Sequence, residues 1–93
     1  MVKVQFYGLL RLMLKRDKLE LPPCDNEQVR QLLQRAQRQI STPFLHKLLD
    51  QQGELLLGTI IMVNRHNILH LQKLQTPVHD SDVVAFFPPG AGG

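Results

Sequence analysis

The chain has 93 residues, 43% hydrophobic and 20% charged, which is enough for one modest core and too little for two. No apolar run approaches the roughly eighteen residues of a membrane helix, so no membrane partner is expected. A net charge of +3 suits an acidic protein surface but falls short of a nucleic-acid footprint.

The opening VKVQFYG alternates with a period of two, placing Val2, Val4 and Phe6 on one face and Lys3, Gln5 and Tyr7 on the other. That pattern predicts a half-buried first strand, with no signal peptide ahead of it. LKRDKLEL reads as a turn around Lys15 to Lys18 and a second strand through Leu19 and Leu21, stopped by Pro22-Pro23. Cys24 is the single cysteine, which rules out an internal disulfide and points to a reducing cytoplasm.

The period changes at Asp25. Val29, Leu32, Leu33, Ala36 and Ile40 form one stripe of an amphipathic helix, started by an Asp25–Gln28 capping box. Arg30, Gln34, Arg35 and Arg38 fall on its solvated side. Thr42-Pro43 then predicts the start of a short second helix through Leu48 and Leu49. GTIIMVN is rich in β-branched residues and reads as a strand between Gly58 and Asn64. From Arg65 to Gln75 the apolar residues fit neither period, which leaves room for a short strand or a helical turn. Asp80-Ser81-Asp82 makes a turn, and VVAFF is the last strand.

This order of elements predicts an α+β fold: a mixed sheet covered on one face by one main helix and a short second helix, with the first and last strands parallel in its middle. That is the ubiquitin-like β-grasp arrangement. Residues 1–89 form the domain in this reading, and residues 90–93 form a flexible glycine-rich tail.

The sequence runs FFPPGAGG at its end. A carboxylate is a poor electrophile until activated, usually as an acyl-adenylate made with ATP. To be activated it must thread into another protein's active site. Gly90, Ala91, Gly92 and Gly93 suit a narrow channel, because glycine has no Cβ and adopts any backbone angle. Pro88-Pro89 stiffens the base of such an arm and projects it away from the sheet.

Val78 to Gly93, VHDSDVVAFFPPGAGG, resembles the carboxy-terminal signature of the MoaD/ThiS family of sulfur carriers. The FFPP-x-x-GG ending is more similar to the small subunit of molybdopterin synthase than to the thiamin carrier. The opening VKVQFYGLLR is also similar to that family, including Arg11. The resemblance implies that no cofactor is bound and that a ubiquitin-activating-like adenylyltransferase uses ATP to adenylate Gly93. A sulfur donor enzyme then makes the thiocarboxylate, and the large subunit of molybdopterin synthase takes in the tail. In that scheme the catalytic side chains belong to the partners.

The sequence departs from the family pattern at three places. Ser81 stands at a turn position where glycine is common. Leu12 and Lys15 replace a glutamate and a glycine, and the 65–75 segment is longer.

Period alone predicts a docking surface. If the helix covers Val4, Phe6, Val84 and Phe86, then Tyr7 and Phe87 lie on the open face beside the tail. The resemblance adds Arg11 and Ile68 to the same surface. No metal site is expected, since His66 and His70 are four apart without an evident third ligand. Two carrier pathways share this tail chemistry, molybdopterin and thiamin. A ubiquitin-like modifier joined to a target lysine and an RNA-binding β-grasp module are the readings from other classes.

Overall fold

Alternation in VKVQF produces β1, Val2–Phe6, with Val2, Val4 and Phe6 buried and Lys3 on the opposite side. The computed structural model describes residues 1–90. β1 is followed by α1 (Gly8–Leu14), β2 (Lys18–Leu21), α2 (Val29–Arg38), β3 (Ile60–Val63), β4 (His66–Asn67) and β5 (Val83–Phe87). Single 3-10 turns occupy Leu45–Lys47, Ile68–His70 and Lys73–Gln75.

The sheet order is β2-β1-β5-β3-β4, with β1 and β5 parallel in the centre and the other neighbours antiparallel. The register sets Val4 beside Val84 and Phe6 beside Phe86, so both central strands send the same parity into the core. α2 covers that face with Val29, Leu32, Leu33 and Ala36, all fully buried. Phe6, Phe44 and Phe86 meet at its centre. Phe6 packs edge-on against Phe44 at 5.6 Å and against Phe86 at 5.9 Å between ring centroids. The mixed sheet and helical cover are the expected β-grasp.

Four local expectations need correction. The expected order omits α1, in which GLLRLML is nearly continuous apolar sequence and only Leu10 is fully buried. The run is too short and too uniformly apolar to reveal a helical period. The short helix expected after Thr42 is instead one 3-10 turn. Its approach is held by the Gln37 side chain, whose oxygen accepts the Phe44 N–H at 2.8 Å and whose nitrogen donates to Thr42 O at 3.0 Å.

The capping of α2 sits three residues later than expected: Gln31 Oε1 accepts the Gln28 N–H at 3.0 Å, while Asp25 precedes a turn at left-handed Asn26. Finally, Arg35 is not merely solvated. Its guanidinium grips the Glu27 carboxylate with two bonds, Nε at 2.7 Å and Nη2 at 2.9 Å, and also donates to Pro22 O. Glu27 is only 3% exposed, and its hydrogen bond to Arg35 raises the guanidinium pKa further above its ordinary value.

The stretch that fits neither period contains both a two-residue strand and helical turns. Its register is set by local bonds, such as the Leu69 N–H donating to Asn67 Oδ1 at 2.9 Å. The turn at 80–82 anchors the start of the chain: the Met1 ammonium donates to Asp80 at 2.6 Å and lowers that carboxyl's pKa. No helix among the described residues is long and apolar enough to cross a membrane.

Candidate functional site

The open face of the sheet is built by the residues that the core parity leaves over. On β1 these are Lys3 and Gln5, with Tyr7 just beyond the strand; on β5 they are Val83, Ala85 and Phe87. Tyr7 and Phe87 come together as expected, their rings stacked at 4.4 Å between centroids and 9° between planes. Both are half-buried, and the Tyr7 hydroxyl donates to Gln5 Oε1 at 3.0 Å, which fixes the ring on the face.

A shallow concavity of about 530 Å³ opens beside the pair, lined by Gln5, Tyr7, Met62, Asn64, Arg65, Val83, Ala85 and Phe87. A smaller one of about 230 Å³ lies on the other side of Tyr7 and includes Arg11 and Lys18. Arg11 is exposed on α1 and makes no ion pair among the described residues, so its charge is free for a partner. Tyr7, Arg11 and Phe87 thus share one surface.

Ile68 does not join them. It is fully buried beneath the 3-10 turn it begins and belongs to the core, which removes it from the docking surface. The irregular stretch around it hides the parity that would have shown this.

Three contributors escaped sequence reasoning. Met62 and Arg65 reach the concavity from the β3–β4 hairpin; the alternation of β3, with Ile61 and Val63 inward, carried that signal for Met62. Leu57 stands 98% exposed at the tip of the Leu56–Thr59 turn, masked in sequence by the run Leu55-Leu56-Leu57. An apolar side chain so exposed near the root of the tail fits an interface better than a core.

β5 runs out at Phe87, and Pro88-Pro89 continues it, part-buried, to an exposed Gly90. Ala91, Gly92 and Gly93, the expected reacting end, lie outside the described residues. His66 and His70 are both exposed, and no group of three or more His, Cys, Asp or Glu side chains among the described residues is arranged to hold a metal.

This geometry has counterparts. The profile of the ThiS family matches residues 4–93. No curated protein sequence matches the chain. Among solved structures, the small archaeal modifier protein 1 (SAMP1) from Methanosarcina acetivorans is similar at 29% identity and a TM-score of 0.77, over 99% of this chain and 95% of that one. A chain of the Amycolatopsis orientalis BexX/CysO complex aligns over the full length of both, at 19% identity and a TM-score of 0.82. A candidate molybdopterin converting factor, subunit 1, from Pyrococcus furiosus aligns over 95% of each chain at 23% identity and a TM-score of 0.70. With the family profile spanning nearly the whole sequence and the β-grasp topology in place, the chain belongs to the ThiS family and is a ubiquitin-like sulfur carrier of the ThiS/MoaD type.

Proposed function

We propose that the chain is the small subunit of a molybdopterin synthase, carrying sulfur as a thiocarboxylate on Gly93. The observation that carries the reading is the stacked Tyr7–Phe87 pair at the root of Pro88-Pro89, from which the Gly90-Ala91-Gly92-Gly93 tail departs. The docking face and the root of the tail are then neighbours, so a partner that covers the aromatics sits beside Pro88-Pro89.

The chemistry runs in two displacements. A Gly93 carboxylate oxygen attacks the α-phosphorus of ATP in the activating enzyme, forming the acyl-adenylate and releasing pyrophosphate. A sulfur nucleophile of the hydrosulfide class then attacks the acyl carbon and expels AMP, leaving the thiocarboxylate. In the synthase the tail enters the large subunit, and the sulfur passes to a cyclic pyranopterin precursor. Nothing in the chain needs to act as a catalytic side chain. Its own residues bind the partner and deliver the tail.

The likeness to an archaeal protein described as a modifier, at 29% identity, favours a second reading in which activated Gly93 acylates a lysine of a target protein. Reconstitution separates the two. The thiocarboxylated chain, mixed with a molybdopterin synthase large subunit and cyclic pyranopterin, is expected to yield the dithiolene product. Isopeptide-linked adducts in cells, with no dithiolene formed in the reconstituted mixture, contradict the synthase reading and support the modifier.

A further inference from the structure

We propose that Gly8 and Gly58 are positioning residues for the tail, forming two jaws that flank Pro88 and Pro89 and set the direction of the chain at that proline pair. Both glycines have left-handed backbones, φ +57° at Gly8 and +91° at Gly58, a conformation that other residues adopt only under strain. Both also lie against the proline pair. A β-carbon at Gly8 would stand 3.7 Å from Pro88 Cδ, and one at Gly58 would stand 3.4 Å from Pro89 Cβ and 3.6 Å from its Cα. At those distances a β-carbon would only touch the rings, so what calls for glycine at both places is the left-handed backbone that brings each turn against a proline.

The jaws are tied to the strand whose extension they grip. Tyr7, just before Gly8, donates its N–H to Phe86 O at 3.1 Å, and Ile60, two residues after Gly58, pairs with Phe87. The Gly58 jaw is rigid. The Thr59 N–H closes the turn on Leu56 O at 3.0 Å, and the buried Thr59 hydroxyl donates to Leu48 O at 2.9 Å. The left-handed angle at the third residue of that turn is what a type II turn requires.

The hold stops abruptly: a β-carbon built on Gly90 would meet nothing within 4 Å. The flanking contacts thus reach Pro89, and Gly90 is exposed. An arm held up to Pro89 enters a partner's channel with fewer residues left to order.

This inference rests on the adenylation of Gly93 proposed above, and its test separates the two. ATP–pyrophosphate exchange is measured with the full chain and its ubiquitin-activating-like adenylyltransferase, comparing wild type with Gly58→Ala, Pro89→Ala and the double variant. The jaws predict that kcat falls about tenfold in each single variant while KM for the carrier stays within about twofold, because the docking face is untouched. The double variant loses no more than the more impaired single variant, since both disturb one contact between the Gly58 turn and Pro89. Pro89→Ala leaves the turn alone and carries the test if Gly58→Ala does not fold. Wild-type kcat in folded variants, or a loss confined to Tm and KM, overturns the positioning role. A wild-type chain that supports no exchange, with the enzyme competent on another carrier, overturns the adenylation reading and the jaws together.

Discussion

At the scale of single residues, two departures from the family pattern acquire a physical meaning. Lys15, where glycine is common in the family, caps α1 at φ +56°, and Ser81, at the other such position, sits at φ +71°. Both backbones are left-handed, a geometry that glycine adopts freely and that this chain adopts under strain. Lys15→Gly and Ser81→Gly are each expected to raise stability by about 0.5–1 kcal/mol in urea unfolding, the relief of strain outweighing the added freedom of the unfolded chain. The Glu27–Arg35 pair predicts the opposite sign. Arg35→Met would strand a buried carboxylate, and equilibrium unfolding should show a loss of about 3 kcal/mol or more. Adding Glu27→Leu should recover most of it, because an apolar pair needs no counter-charge. The ion pair itself was hidden in the sequence: Arg35 shares a helix face with exposed residues, and Glu27 looks like ordinary loop polarity before α2. What marks them is burial, which depends on how residues 22–27 fold back over the helix.

At the scale of elements, legibility followed periodicity. β1, β5 and α2 each bury a regular stripe, and each was readable from the spacing of Val, Leu and Phe. Parity also placed Tyr7 and Phe87 together on the open face, because parallel pairing of β1 and β5 keeps both strands in step. α1 and the Leu45–Lys47 turn escaped because their shape comes from tertiary contact rather than period. The same cause misplaced Ile68, whose burial depends on two 3-10 turns packed side by side. Phe44 shows how much rests on such irregular segments. It lies outside every regular element yet is fully buried between Phe6 and Phe86. Phe44→Ala is expected to cost about 3–5 kcal/mol by thermal or urea unfolding, as for a core phenylalanine within a strand. A cost near 1 kcal/mol would show that the 40–48 segment is a loose cover rather than part of the core.

At the scale of the whole molecule, the fold divides its labour between two faces of one sheet. The inner face is closed by α2 and the phenylalanine cluster; the outer face carries Tyr7, Phe87 and the neighbouring Arg11 and Arg65. This division predicts that Phe87→Ala separates binding from stability. Removing the part-buried ring should cost about 1–2 kcal/mol of folding free energy, while the dissociation constant for the proposed partner, a molybdopterin synthase large subunit, should rise about tenfold or more. Calorimetric titration beside a melting curve distinguishes the two effects, and an unfolded variant would show that the outer face is structural.

The central claim concerns Gly93, and intact mass spectrometry tests it most directly. The full chain is incubated with its activating enzyme, ATP and a hydrosulfide source, then weighed and fragmented. The account predicts a mass gain equal to replacing one oxygen by sulfur, located on Gly93 and lost when Gly92-Gly93 is deleted. An unchanged mass, with the same enzyme loading another carrier, would contradict the account.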